Sequence, residues 1–289
     1  MTATVTVLGL GPMGQALTRA LLEKGHRTTV WNRTEAKAAD VRRRGAVWAA
    51  GGPADAVRAS DLTLINVVDH DVVDALLTRV GDAVDGRTVA GLSSDTPERV
   101  RQTAKLVADA GGRYLDGAIM TPTDTIGTSD ASVLFAGPER LYDTHRGVFA
   151  ALGRSTWLGE DHGRAAAFDM SLLDLFWTSV GGFQHALAVA KANGITPTEL
   201  LPHALGIAGI LTPIFTEIAE RVEQDRHGEA SAPVSSVASS VRHLIAASHD
   251  ADIDAGILEV FRDYVDAAVA AGHGADEISR IAPGVSRRR

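Results

Sequence analysis

The 289-residue sequence predicts an α/β fold, with an N-terminal doubly wound parallel sheet, a long interdomain helix and an all-α C-terminal domain. Two observations lead to this prediction. Up to about residue 160, short β-rich runs alternate with helical stretches, which is the pattern of parallel strands joined by crossover helices. Beyond Gly159 the strand pattern ends and apolar residues recur at helical spacing. We therefore expect domains at 1–160 and 194–289, joined by a helix at 161–193.

The strands of the first domain are predicted from runs of β-branched and apolar residues. The first run contains Val5, Val7 and Leu8. Further strands are predicted at 28–31, 46–48, 62–67, 88–92, 114–118, 132–135 and 156–158. A helix is expected directly after the first strand, and others at 34–44, 71–80 and 97–110.

A glycine motif, GLGPMG, joins the first strand to the first helix. In this context Gly9 permits a tight turn, Gly11 lets the backbone approach a pyrophosphate, and Gly14 allows close packing of helix and strand. The helix N-terminus supplies N–H donors for phosphate oxygens. The motif therefore predicts a Rossmann domain that binds a dinucleotide through Gly9, Leu10, Gly11, Pro12, Met13 and Gly14.

The end of the second strand predicts which dinucleotide is bound. An NAD site carries an acid about 20 residues beyond the glycines, to accept hydrogen bonds from the ribose. Here that acid is missing, and Asn32, Arg33, Thr34 and Lys37 stand in its place. These side chains suit a 2′-phosphate dianion, so NADPH is the predicted cofactor. The alternative is that Arg33 and Lys37 are only solvated charges at a helix start.

The reacting end of the cofactor should lie beyond the carboxyl ends of the later strands. We expect Val67, Val68 and Ser93 to face the nicotinamide there. Asp169, early in the long helix, is the candidate catalytic residue, because a carboxylate on the same helix face as Leu173 is costly unless it is used or paired. From the residues alone, a mere complement to the helix dipole explains Asp169 equally well.

Composition limits the other functions. The net charge of −8 argues against nucleic-acid or anionic-membrane partners, and the basic tail at 287–289 is too short to change this. With no cysteine, no run judged long enough to span a membrane and no signal-peptide pattern, we expect a cytoplasmic protein. No H-E-x-x-H or G-x-S-x-G pattern occurs, so neither metal catalysis nor a hydrolase triad is predicted.

The C-terminal part reads as helices at 163–193, 197–222, 232–248 and 252–271. The first of these is long for a globular helix and cannot hide all its apolar faces against one small domain. We therefore expect it to cross between domains or to pack against a second subunit.

Taken together, these segments resemble the NADPH-dependent imine reductases and reductive aminases over nearly the whole chain. The similar segments include GLGPMG, VWNRT with Lys37, GRTVAGLSSDTP, RYLDGAIMTP and WLGEDHGRAAAFDMSLL. The resemblance implies reduction of imines or iminium ions to amines, with reductive amination of ketone-amine pairs as a related activity. It also implies an intertwined homodimer, in which one subunit's cofactor faces the other subunit's helices. The residues it places at the substrate are Ser94, Leu173, Trp177, Ile214 and Val237.

The β-hydroxyacid dehydrogenases share this architecture and are the main alternative. They carry a lysine on the long helix, an asparagine four residues later, and a Ser-Gly-Gly segment after the sheet. This chain has Asp169 and Leu173 at the two helix positions, and Ala118, Ile119 and Met120 in the segment. A carboxylate favours a positively charged iminium, so the exchange favours C=N reduction. A non-catalytic NADP sensor is the second alternative.

The chain departs from many family members at the expected substrate pocket. Ser94 stands where many have asparagine, and Trp177 stands where reductive aminases have tyrosine. Ile214 and Val237 replace an aromatic and an amide used by some relatives. The departures predict a more apolar pocket of altered shape, with no prediction of stereopreference.

Overall fold

The computed structural model describes residues 2–285, so the basic tail at 287–289 lies outside the described part of the chain. The chain divides into two compact units, Met1–Leu175 and Phe176–Arg289. The boundary between them falls inside the long helix that the sequence assigned to a separate middle segment. The three-part division at 1–160, 161–193 and 194–289 therefore stays a prediction.

The first unit is built on one sheet whose strands run in the spatial order β3-β2-β1-β4-β5-β6-β7-β8. Neighbouring strands are parallel except for β6 and β7, which pair antiparallel. Because the chain leaves β1 in both directions along the sheet, the crevice beyond the carboxyl ends of β1 and β4 is a topological switch point. The strands are β1 Thr4–Leu8, β2 Arg27–Trp31, β3 Val47–Trp48, β4 Leu62–Ile65, β5 Thr88–Gly91, β6 Arg113–Ile119, β7 Ser132–Ala136 and β8 Arg154–Trp157.

Both faces of this sheet are buried, as a parallel sheet covered by helices requires. Val7, Leu64 and Ala90 are register partners on neighbouring strands and belong to one hydrophobic cluster. Leu8 and Ile65, the next residues along their strands, belong to a second cluster. Side chains of a strand alternate between faces, so the two clusters cover opposite sides of the sheet.

The helices of this unit largely match the predicted ones, with one clear difference. The helix predicted at 34–44 is a 3-10 turn, Glu35–Ala38, followed by a short α-helix. The turn is tight because the Thr34 carbonyl oxygen accepts the Lys37 N–H three residues on, and also a hydrogen bond from the Asn32 amide. Two helices, Pro53–Arg58 and Glu139–Phe149, were not predicted. The helices are α1 Pro12–Glu23, α2 Ala39–Arg43, α3 Pro53–Arg58, α4 His70–Val80, α5 Pro97–Asp109 and α6 Glu139–Phe149.

The long helix α7, Gly163–Ala192, begins in the first unit and ends in the second, at Asn193-Gly194 as predicted. Gly194 has a φ of +75°, the left-handed conformation that terminates helices. The second unit continues with α8 Pro197–Glu223, α9 Val234–Asp250, α10 Gly256–Ala270 and a 3-10 helix Ile278–Val285. The predicted start of α10 at 252 was wrong, because Asp252 has a φ of +55° that no α-helix accommodates.

Helices α9 and α10 share a small core, but α8 does not. Val234, Ala238 and Val265 form one buried cluster of the pair. Along α8, Arg221 is the one buried residue, and large apolar side chains such as Leu205, at 64% exposed, face solvent in the single chain. Much of the apolar surface of α8 is therefore uncovered in the single chain.

The composition of α8 corrects one expectation from the sequence. Pro197–Glu223 is long and apolar enough to cross a membrane by length and mean hydropathy, which reaches 1.3. The sequence alone does not suggest a spanning helix here because Pro202, His203 and Thr212 interrupt the apolar residues. One such helix does not identify a membrane protein, since a helix that packs against another chain can be apolar all round as well.

Candidate functional site

The glycine turn takes its shape from two close approaches within the chain. Gly9 has a φ of +97°, and a Cβ there would lie 2.1 Å from the Asn66 carbonyl oxygen. A Cβ on Gly14 would lie 2.0 Å from the Gly9 carbonyl oxygen. Gly11 is different, because a Cβ there would meet no protein atom within 4 Å. Its missing side chain leaves open space in front of the α1 N-terminus, where a phosphate needs backbone approach.

Asn32 connects this turn to the end of β2. Its side-chain oxygen accepts the Leu10 N–H at 3.0 Å, and its amide nitrogen donates to the Thr34 carbonyl at 2.9 Å. Leu10 itself is fully buried in the core. Among the predicted cofactor residues, Leu10 and Asn32 thus have a clear role in shaping the loop.

A cavity of about 690 Å³ lies at the carboxyl ends of β1, β2 and β4, at the topological switch point. Most of the predicted cofactor residues line it, whereas Leu10, Gly14 and Ser93 lie beneath its surface. The lining residues are Gly9, Gly11, Pro12, Met13, Trp31, Asn32, Arg33, Thr34, Lys37, Asn66, Val67, Val68, Asp71, Val72, Ala75, Leu76 and Arg79.

One part of the cavity lining is strongly basic. Arg33, Lys37 and Arg79 line it, and within residues 2–285 none of the three forms a salt bridge. The acid of the lining is Asp71, whose carboxylate is 2.9 Å from the Arg99 guanidinium. An anion with two charges would find uncompensated cations here, which is what the ribose 2′-phosphate of NADPH requires.

Arg79 and Trp31 were not among the predicted cofactor residues. The Arg79 guanidinium lies over the Trp31 ring, with 5.4 Å between its carbon atom and the ring centroid. Trp31 ends β2, and Arg79 lies in the last turn of α4. Trp31 could have been noticed from its place directly before Asn32, whereas nothing in the sequence indicates that Arg79, on another element, lies over it.

The strands next to β1 shape the other end of the cavity. β4 ends at Ile65, two residues before the predicted end. The Asn66 N–H still donates to the Leu8 carbonyl of β1, and beyond it the chain bonds to the segment after β5. The Asn66 amide donates to the Leu92 carbonyl at 2.6 Å, and the Val67 N–H donates to Ser93 Oγ at 3.0 Å. Ser93 therefore holds Val67 in place from beneath, while Val67 and Val68 reach the cavity.

Asp169 and Ser94 are brought together in the first unit. Asp169 lies in the second turn of α7 and is only 2% exposed. Burial raises the pKa of its carboxyl, and a hydrogen bond from Ser94 in the segment after β5 lowers it in part. Leu173, one turn further on, is half-buried. The first unit thus holds a buried carboxyl that accepts a hydrogen bond from the Ser94 hydroxyl.

The remaining predicted substrate residues belong to the second unit. Trp177 is 62% exposed and touches the Phe176 ring edge-on, with 5.0 Å between centroids. Ile214, in α8, is exposed, and Val237, in α9, is half-buried against the α9 and α10 core. Their assignment to a substrate pocket stays a prediction.

The residues around the cavity fit NADPH. Gly11 and the N-terminus of α1 present open backbone for the pyrophosphate, and Arg33, Lys37 and Arg79 present cations for the 2′-phosphate. The acid that would bind the ribose hydroxyls of NAD is missing after β2. The cavity therefore suits NADPH better than NADH.

Comparison with known proteins finds a matching family for each part of the chain. The family of NAD-binding domains of 6-phosphogluconate dehydrogenase matches residues 4–159, more than half of the chain. The family described as the C-terminal domain of NADPH-dependent reductive aminase-like proteins matches residues 161–287. The two matches meet at the start of α7 and together account for nearly the whole sequence.

Individual relatives are similar over their full length. The NADPH-dependent reductive aminase of Aspergillus oryzae is 30% identical, over 97% of this chain and 96% of its own. A reductive aminase from Aspergillus terreus, solved with NADPH and ethyl-5-oxohexanoate, has a TM-score of 0.94 at 30% identity and covers 99% of this chain and 100% of its own. An imine reductase from Myxococcus stipitatus, solved with NADP+, has a TM-score of 0.91 at 33% identity, over 98% of this chain and 100% of its own. The chain belongs to the family of NADPH-dependent reductive aminases and imine reductases.

Proposed function

We propose that this protein reduces imines or iminium ions to amines with NADPH, and that it also carries out reductive amination of ketone-amine pairs. The observation that carries the proposal is the buried Asp169 carboxylate, hydrogen-bonded to Ser94, in a unit that also holds a basic dinucleotide cavity. An anion favours a cationic C=N acceptor over a neutral carbonyl.

NADPH, when bound, supplies the hydride. The chain's own residues bind and orient it. Gly11 and the α1 N-terminus receive the pyrophosphate, Arg33 and Lys37 hold the 2′-phosphate, and Val67 and Val68 provide an apolar wall. Asn66 and Ser93 fix the backbone of that wall through their bonds to Leu92 and Val67.

Asp169 acts on the other reactant. In its ionised form it stabilises the positive charge of an iminium substrate. Its raised pKa also brings the carboxyl closer to the range in which it can exchange a proton with the amine nitrogen. The hydrogen bond from Ser94 opposes this shift and favours the ionised form. Stabilising an iminium requires an anion, which a lysine cannot supply. This role therefore separates the reaction from hydroxyacid oxidation.

The two alternatives make different demands. A β-hydroxyacid dehydrogenase needs a cation to bind the oxygen of its substrate, and the helix position holds Asp169 instead. A non-catalytic sensor would need no buried acid next to a hydroxyl donor. The described geometry therefore favours C=N reduction over both.

The substrate class follows from the residues expected at the pocket. Trp177, Ile214 and Val237 are apolar or bulky, and tryptophan has no O–H to donate. We propose small, apolar cyclic imines as preferred substrates, with ketone-amine coupling less efficient than imine reduction. A cytoplasmic location is part of the same proposal, and fractionation of the native cells would check it.

We further propose that the protein is an intertwined homodimer. Support comes from large apolar side chains that the single chain leaves exposed on α8, such as Leu205, Ile207 and Ile210, and on α10, such as Val260. Each such side chain contributes about 1.5–3 kcal/mol when fully buried. Burial of several such side chains against a second copy would therefore stabilise a dimer through α8.

The function is tested by a panel of substrates with both cofactors. Five- and six-membered cyclic imines, ketone-amine pairs, and β-hydroxy acids should be assayed by NADPH or NADP+ absorbance. We expect kcat/KM to be higher for imine reduction with NADPH than for any other combination of substrate and cofactor. Oxidation of β-hydroxy acids without imine reduction would establish the dehydrogenase instead, and tight NADPH binding without any turnover would establish the sensor.

The oligomeric state is tested by light scattering coupled to gel filtration. We expect twice the 30.3 kDa of the chain. Ile207→Lys should shift the protein towards the monomer, because it places a charge on the exposed apolar surface of α8. Glu223→Lys, at the exposed end of the same helix, is the matched control and should stay dimeric. A monomeric wild type would refute the dimer.

A further inference from the structure

Asp116 is a buried acid in the first unit that the proposed reaction does not use. It lies on β6 and is 2% exposed. Its Oδ2 atom accepts the backbone N–H of Ala166 at 2.8 Å, and the Gly117 N–H also bonds to the carboxyl. A carboxyl group inside an apolar strand costs free energy unless its oxygen atoms are hydrogen-bonded.

The bond to Ala166 reaches the first turn of α7. The first N–H groups of a helix have no partner within the helix, so an outside acceptor is needed. Two acids supply acceptors at this end of α7. Asp161 Oδ1 is 3.1 Å from the Gly163 nitrogen on the surface, and Asp116 bonds Ala166 from the buried side. The second bond ties α7 to β6.

Asp169 lies one turn beyond Ala166 on the same helix. Because residues three apart on a helix are neighbours, the anchor at Ala166 fixes the turn from which the Asp169 side chain projects. A shift of α7 along the sheet would move Asp169 relative to Ser94, its hydrogen-bond donor. The geometry thus links Asp116 to the placement of the proposed catalytic carboxylate.

The charges around Asp116 favour its neutral form. The pKa of its carboxyl is raised to about 8, mainly by burial and also by the carboxylates of Asp169 and Asp161, whereas the bonds from Ala166 and Gly117 lower it in part. Asp161 stays ionised, because Arg101 holds its pKa at about 2. Tyr114, also on β6, is neutral because burial raises its pKa well above the usual value.

We propose that Asp116 is a positioning residue for Asp169: by accepting the Ala166 N–H it anchors the first turn of α7 to β6 and so holds the Asp169 carboxyl beside Ser94. This rests on the proposed function, since the anchored carboxyl is the one that serves a cationic C=N substrate.

A dependence of stability on pH follows. The pKa of Asp116 is raised on folding, from 3.8 to about 8, so the folded state holds its proton over a range in which the unfolded state has lost it. Its contribution to the free energy of unfolding is complete below the unfolded value and is lost as pH rises through about 8. Above that pH a second buried negative charge lies near Asp169.

The test compares Asp116→Asn with Asp161→Asn in the cofactor-free protein. Asparagine keeps an acceptor oxygen for Ala166 but cannot ionise. With carbon-13 labelled aspartate, we expect one carboxyl signal of the wild type to titrate near pH 8, to vanish in Asp116→Asn and to persist in Asp161→Asn. The melting temperature should fall with rising pH in the wild type and much less in Asp116→Asn. Persistence of the signal in Asp116→Asn, or its absence from the wild type, would overturn the assignment.

Activity supplies the second arm. We expect Asp116→Asn to turn over a cyclic imine near the wild-type rate at neutral pH, and to lose an alkaline decline of kcat/KM centred near pH 8. Asp116→Ala also removes the acceptor for Ala166. We expect its fold-decrease in kcat to exceed its fold-increase in the dissociation constant of NADPH. An alkaline decline unchanged in Asp116→Asn would overturn the link to Asp169. Because the carboxyl titration needs no substrate, failure of imine reduction itself would be seen separately.

Discussion

The hydroxyl of Ser94 is hydrogen-bonded to the carboxylate of Asp169, joining the segment after β5 to the second turn of α7. Burial alone would push the pKa of Asp169 upwards, and this one bond opposes the shift. These two opposing effects together set the pKa of Asp169. The pair is therefore where substitutions should change the pH dependence of the reaction.

Ser94→Ala tests that balance. The substitution removes the donor, so the pKa of Asp169 should rise further. We expect the acid limb of the kcat/KM profile for a cyclic imine to move to higher pH. Ser171→Ala, on the exposed side of the same helix with its hydroxyl bonded to the Ala167 carbonyl, is the control. Equal profiles for wild type and Ser94→Ala would separate Ser94 from the reaction.

Asp169→Asn tests the carboxylate itself. Asparagine fills the same volume and can accept from Ser94, but it carries no charge and exchanges no proton. Positioned acid-base groups contribute about 10²- to 10⁴-fold to rate, and we expect a loss of that order in kcat/KM. The dissociation constant of NADPH, measured by fluorescence, should change little. A variant with wild-type turnover would exclude Asp169 from the mechanism.

The basic part of the cavity is tested by cofactor binding. Removing one charged hydrogen-bond donor to the 2′-phosphate should weaken NADPH by about 10- to 100-fold. We expect Arg33→Ala to do this while leaving NADH affinity almost unchanged. Arg79→Ala should show the same selectivity if its guanidinium reaches the phosphate, whereas an equal loss for both cofactors would indicate contact with the adenine. Arg43→Ala, exposed on α2 and paired with Asp40, is the control.

The glycine turn and the sheet could be predicted because short sequence patterns indicate them. Gly9 and Gly14 are required by backbone atoms in the adjoining strand and turn, and the alternation of apolar residues defines both faces of the sheet. NADPH preference followed from a few adjacent residues after β2. The sequence is sufficient where a short pattern of residues reports the feature, even when, as at Gly9, the contact that requires it comes from Asn66, far along the chain.

The other features depend on packing between distant elements. Arg79 reads as an ordinary cation in the last turn of a helix, and only the packing of α4 next to β2 places it over Trp31. Asp116 did carry a signal, an acid inside the apolar strand of RYLDGAI, but not the identity of its partner Ala166. The bond between Ser94 and Asp169 likewise needed the start of α7 to be placed against the sheet.

Trp177 tests the expected departure from reductive aminases. Trp177→Tyr introduces an O–H that can donate to or accept from a polar group of a ketone-amine adduct. We expect the ratio of reductive amination to imine reduction, each measured as kcat/KM, to rise. Trp177→Phe is the matched control, because it makes the same change in ring size without the hydroxyl. If phenylalanine raises the ratio as much as tyrosine does, then the space released by the indole, and not the hydroxyl, limits ketone-amine coupling in this protein.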